Sequence, residues 1–187
     1  GVKDVIDTCD LPTERGSSIY SGNQPRNDAA CVALAREAGA TITGKTVTTE
    51  FALFTPNATR NPHDLERTPG GSSSGSAAAV ADMQVRSALG TQTVGSVISP
   101  AAFCGVVGFR PSIGRIPLWP TEMAWHARLA TEGPMARNVT DCALLLSALV
   151  GFDPRDPLAI ESNPEIFRKP LEQDFSNVKV GWTPDLG

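Results

Sequence analysis

Apolar residues recur at helical spacing in two stretches of the chain. Over residues 28–38, Cys31, Val32, Leu34, Ala35 and Ala38 form one face, with Asn27 or Asp28 as cap and Gly39 suited to a left-handed exit. Over residues 140–150, Cys142, Leu144, Leu145, Leu146, Ala148 and Leu149 supply the apolar content, Thr140 the cap and Gly151 the stop. Short β-branched or apolar runs bounded by turn residues predict strands at 41–46, 89–93, 106–109 (buried) and 178–182, with a helical turn at 101–105. Helix followed by strand points to α/β layers, and no internal repeat interrupts them.

Between these elements lie two segments of other character. Residues 54–69 hold Pro56, Pro62 and Pro69 among polar residues, which predicts a long irregular loop of the kind that often carries function. Residues 70–81 open as a Gly/Ser loop and continue into an alanine-rich helix former with a serine available as cap.

Composition narrows the classes. The 187 residues are 41% hydrophobic and 19% charged, a globular balance able to bury one core. A net charge of −4 gives no electrostatic footprint for nucleic acid or an anionic membrane. No apolar run reaches the roughly 18 residues of a membrane span, and residues 1–7 carry no signal-peptide pattern. Cys9, Cys31, Cys104 and Cys142 include no Cys-x-x-Cys pair, and His63 and His126 are the only histidines, so no metal site is expected. Cys31 and Cys142 read as free buried thiols in a reducing compartment, with the cytoplasm as default.

The chemistry concentrates in residues 70–81 and 90–100. Each sets small residues at an entry to a helix, where glycine permits close backbone approach and amide donors are free. Composition alone reads 70–75 as a flexible linker, but its position between a proline-rich loop and a helix former opposes that. A phosphate loop lacks its Gly-Lys-Ser/Thr ending here, and Gly44-Lys45-Thr46 lacks the upstream glycine.

Taken together, the motifs resemble the amidase signature family. Gly70-Gly71-Ser72-Ser73-Ser74-Gly75 is similar to its Gly-Gly-Ser-Ser motif, and Gly90-Thr91-Gln92-Thr93-Val94-Gly95-Ser96 to its nucleophile motif. Val2-Lys3-Asp4 resembles its lysine motif; residues 100–111 and Gly133-Pro134-Met135-Ala136-Arg137 also fit, in the same order along essentially the whole chain. The resemblance implies an α/β fold, a mixed β-sheet core covered by helices. Residues 1–187 would be the central part of a longer single catalytic domain, present here as a partial domain.

The resemblance also implies a Ser-Ser-Lys triad. Ser96 corresponds to the nucleophile, Ser72 to the bridging serine that follows a cis peptide bond in the family, and Lys3 to the base. A serine hydroxyl needs a base to take its proton, and lysine can be that base only where its charged form is disfavoured. Backbone amides of Thr93, Val94, Gly95 and Ser96 would form the oxyanion hole, where one donor is typically worth about 2.7–4 kcal/mol. The implied reaction takes a small-molecule amide to an acid plus ammonia or an amine, without cofactor or metal, and a homodimer is one assembly open to it. His63 and His126 belong to no such motif and read as loop or surface residues.

Two positions depart from the family pattern. Val94 stands where the family usually has glycine: a positive φ there would strain a β-branched residue, whereas a negative φ would leave it narrowing the acyl pocket. Ser99 replaces an arginine found soon after the nucleophile, with Arg86 and Arg110 as candidate substitutes. These departures motivate two alternatives to a free amidase: an impaired family member that binds without turnover, and the amidase component of a tRNA-dependent amidotransferase.

Overall fold

The computed structural model describes residues 1–120 and 129–185. His126 lies outside the described residues. Five strands form one mixed sheet: β1 (Val2–Lys3), β2 (Lys45–Thr46), β3 (Ser87–Gln92), β4 (Val107–Gly108) and β5 (Thr131–Ala136), in the order β2-β1-β3-β5-β4. β1 runs parallel to β2 and β3, while β5 is antiparallel to β3 and β4.

Helices cover both faces. On one side α1 (Ala30–Glu37) and α4 (Val139–Leu149) share a core with the sheet, built from Val2, Cys31, Val32, Leu89, Leu146 and Leu149. On the other, α2 (Ser74–Ala81) and α3 (Ile98–Phe103) close over Ala77, Val97, Ala101, Cys104 and Met135. The small side chains of α2 are what allow this. A Cβ on Gly75 would stand 2.3 Å from the Val47 amide nitrogen, so the helix meets the chain after β2 backbone to backbone.

Several expected elements shift. α1 begins after Ala29, because the Asp28 carboxylate is engaged by the Arg36 guanidinium (3.0 Å) and the Cys9 amide (2.8 Å) instead of capping. Gly39 does take the left-handed conformation, at φ +89°. α4 is capped by Asn138, whose side chain accepts from the Asp141 amide at 2.7 Å, and not by Thr140; it ends at an extended Val150 rather than through Gly151. α2 has Ser73 at its N-cap position, but that serine makes no cap bond. α3 starts at Ile98, ahead of the predicted 101–105 turn.

The strands shift more. Only Lys45–Thr46 of the 41–46 run pairs, and 106–109 yields only the half-buried Val107–Gly108. The run 178–182 forms no strand: Val178, Val180 and Trp182 are exposed, and the Val178 amide turns back to the Phe175 carbonyl at 3.0 Å. Residues 54–69 are the irregular loop expected, whereas the fully buried β5 carries no strand signal in its sequence.

Candidate active site

β1 sits between two parallel neighbours, and its two side chains point to opposite faces. Val2 enters the α1/α4 core, which leaves Lys3 facing α2, fully buried at 0% exposure. Its Nζ donates to Ser72 Oγ at 2.7 Å, to Thr91 Oγ1 at 2.8 Å and to the Thr91 carbonyl at 3.3 Å. None of these acceptors is charged, so burial dominates and lowers the lysine pKa from 10.5 to about 7. Near neutral pH the free amine is therefore well populated.

Ser72 follows a cis Gly71–Ser72 peptide bond and is 2% exposed. Its carbonyl accepts from the Thr49 amide at 3.1 Å. The next residue joins the two Gly/Ser segments. Ser73 donates its amide to the Ser96 carbonyl at 3.2 Å, while its hydroxyl accepts from the Thr91 amide (3.2 Å) and donates to the Thr91 carbonyl (3.3 Å). Lys3 and Ser72 are thus in direct contact, and the half-buried Ser96 stands in the adjoining loop after β3, tied to them through its carbonyl on Ser73; among the described residues its hydroxyl makes no hydrogen bond.

The loop that carries Ser96 is held from beneath by Gln92. Its buried side chain accepts from the Val97 and Ile98 amides at 2.8 and 2.9 Å and donates to the Val94 carbonyl at 2.8 Å. The Ser99 amide adds a bond to the Gly95 carbonyl at 2.8 Å. The carbonyls of Val94, Gly95 and Ser96 are thereby occupied, whereas the amides of the same three residues have no acceptor among the described residues. Thr93 and Val94 are exposed, Val94 at 90%, and Val94 does not adopt a positive φ, so the strained alternative for that residue falls away.

The other candidates are engaged elsewhere. Arg86 pairs with Asp141 at 2.7 Å, Arg110 donates to the Leu129 carbonyl at 3.0 Å, and Ser99 is exposed. His63 lies in the 54–69 loop, its Nε2 2.9 Å from the Cys104 carbonyl. All four cysteines are free; Cys31, Cys104 and Cys142 are buried and Cys9 is exposed. Cys9, Asp10 and Asp28 cluster, but Arg36 already binds both carboxylates, at 2.7 and 3.0 Å.

Thr91 and Gln92, which hold Lys3 and the Ser96 loop, are not singled out by the sequence. Both stand inside the nucleophile motif, but nothing in its spacing assigns them a partner.

A cavity of about 430 Å³ adjoins this centre. Neither Ser72 nor Ser96 lines it; Thr91 does, together with Thr131 and Glu132 of β5. Among the described residues no helix is long and apolar enough to cross a membrane.

A mixed sheet sandwiched by helices, with a buried lysine and two serine loops at one end, is the arrangement of an amidase signature fold. The chain belongs to the Amidase family, whose pattern it matches over residues 1–187. It is 44% identical over 186 residues to a glutamyl-tRNA(Gln) amidotransferase subunit of Anaeromyxobacter sp. (strain K), covering 96% of this chain but 38% of that protein. Among solved structures it resembles the corresponding subunit from Thermotoga maritima, with a TM-score of 0.78, 38% identity and coverage of 86% and 37%. The peptide amidase of Stenotrophomonas maltophilia gives a TM-score of 0.76, 38% identity and coverage of 84% and 34%. For 6-aminohexanoate cyclic dimer hydrolase the TM-score is 0.80, with 37% identity and coverage of 86% and 36%. The chain therefore spans less than two-fifths of the length of the relatives it matches.

Proposed function

We propose that the full-length protein hydrolyses a carboxylic amide through an acyl-enzyme on Ser96, with Ser72 as proton relay and Lys3 as base. The observation that carries this reading is the 2.7 Å hydrogen bond between Lys3 Nζ and Ser72 Oγ in a site with no charged partner for the lysine. With the amine neutral, its lone pair accepts the Ser72 proton, and Ser72 in turn takes the proton of Ser96 as that oxygen attacks the amide carbonyl. The unoccupied amides of Val94, Gly95 and Ser96, with Thr93 leading into them, suit the negative oxygen that develops. Return of the proton to the leaving nitrogen releases ammonia or an amine, and water then frees the acid and regenerates Ser96.

The test is ammonia release from simple primary amides by the full-length protein and its Ser96→Ala, Ser72→Ala and Lys3→Ala variants. Groups that act as one unit lose activity to a similar extent when any one is removed. Variants that each keep more than about a tenth of the wild-type rate would refute the triad, because positioned acid–base catalysis supplies roughly 10²–10⁴-fold.

A second reading is favoured by the curated relatives, whose name makes them amidotransferase subunits. Here the same amide cleavage would deliver ammonia to a partner instead of releasing it. Retention of partner proteins through purification, with ammonia release accelerated by them, would support this reading over a free amidase.

A further inference from the structure

The cavity beside the proposed triad holds a buried carboxyl that the triad does not use. Glu132 lies on β5 directly opposite Thr91 of β3, so the two side chains share one face of the sheet. Glu132 is 4% exposed, and its Oε2 has no hydrogen-bond partner among the described residues. A buried carboxyl oxygen without a partner is expensive, and functional sites are where such groups persist. Burial raises its pKa from 4.5 to about 8, with Asp156 adding to the effect and its own backbone opposing it.

The same cavity wall carries unusual backbone. Arg15, Phe51 and Ala52 all line it, at φ +56°, +51° and +57°, and only one other described residue besides glycine, Met83, has a positive φ. Left-handed conformations are disfavoured for such residues and concentrate at ligand sites. The wall is also tied to the triad. Thr49 donates its amide to the Ser72 carbonyl at 3.1 Å and its hydroxyl to the Leu53 carbonyl at 2.7 Å, and Leu53 is part of the wall. On the far side Thr91, which holds Lys3, is part of it too.

We infer that this cavity is a substrate subsite in which Glu132 receives an amino group, so that the preferred substrates are amides bearing a second, amine nitrogen. The remaining wall is mostly apolar, with Ile6, Ala29, Leu118 and Trp119 suited to a hydrocarbon chain between the amide and the amine. The charges fit a cationic end group. Asp7 and Arg15 also line the cavity with opposite signs and Asp156 acts on Glu132 as a further negative charge, so an ionised Glu132 leaves a negative excess that an ammonium offsets. An alkyl end group of the same size would leave the carboxyl unmatched.

This inference rests on the amidase reading for its choice of substrate, and its test separates the two. The full-length wild type, Glu132→Leu and Glu132→Gln are assayed on ω-aminoalkanamides and on alkanamides of equal length. The wild type prefers the amino member at one chain length, and both variants lower that kcat/KM ratio at least about tenfold. An unchanged ratio in both variants, or no preference in the wild type at any length, overturns the inference. Thermal melts with n-alkylamines need no turnover. An amine-dependent rise in Tm that Glu132→Gln abolishes upholds the subsite even if no amide is hydrolysed, and an equal rise or none contradicts it.

Discussion

Lys3 Nζ lies 2.7 Å from Ser72 Oγ, and the pair are 69 residues apart in sequence. Two strands and a tight loop must all be in place before the amine meets the hydroxyl. Because Lys3 is fully buried among neutral acceptors, its pKa falls to about 7. A base must be neutral to act, so kcat/KM should rise as pH climbs through about 7. Lys3→Arg should not rescue activity, since a guanidinium stays charged. A pH–rate profile of the full-length protein checks both points.

Stability should depend on pH in two opposite limbs. Lys3 has a folded pKa of about 7 against 10.5 unfolded, so between those values the unfolded chain holds more protons and stability rises with pH. Glu132 has a folded pKa of about 8 against 4.5, so across that window the folded chain holds more protons and stability falls as pH rises. Denaturant unfolding of Glu132→Gln should lose the falling limb and keep the rising one. Lys3→Met should do the reverse.

Gln92 fastens both sides of the Ser96 loop through its bonds to Val94, Val97 and Ile98. Gln92→Leu leaves two amides and a carbonyl without their partner and should cost about 1–3 kcal/mol of stability. If the loop's amides hold the oxyanion as proposed, its kinetic signature should be a fall in kcat larger than any rise in KM. Steady-state kinetics on the folded fraction reads that split.

Val94 offers the contrast. It is exposed and free of a left-handed φ, so Val94→Gly should change stability by no more than about 0.5 kcal/mol. What should move is selectivity, toward bulkier acyl groups, measured as kcat/KM across a series of branched amides.

The candidate site residues could be named from the sequence more readily than the sheet that holds them. Lys3, Ser72 and Ser96 could be named because motifs keep their order and spacing, and the structure brings all three to one end of the sheet. Thr91 and Gln92 escaped because their role is a matter of which partner lies across the fold. β5 escaped for a different reason. Its Gly133-Pro134 reads as a turn, and proline cannot donate within a ladder. Yet Pro134 sits opposite Leu89 and uses its carbonyl to accept from Phe109 at 3.0 Å. The run 178–182 differs the other way: β-branched residues suggest a strand, but among the described residues no neighbour pairs with it. Helix limits slipped by a residue or two where ion pairs, as at Asp28, claimed the expected cap.

Packing between α2 and the chain after β2 should tolerate no side chain at Gly75. The added Cβ of Gly75→Ala would meet backbone atoms of Val47 at 2.3, 2.8 and 2.9 Å, which cannot rotate away. The variant should lose at least about 1–3 kcal/mol, and part of its activity through displacement of the neighbouring Ser72. Thermal melts and activity at a fixed folded fraction separate the two effects.

The most direct measurement is covalent labelling of the full-length protein by a fluorophosphonate, read by peptide mass spectrometry. One adduct is expected, on Ser96, vanishing in Ser96→Ala and forming far more slowly in Ser72→Ala and Lys3→Ala. An adduct on another serine, or no adduct on folded protein, would contradict the assignment of Ser96 as the nucleophile.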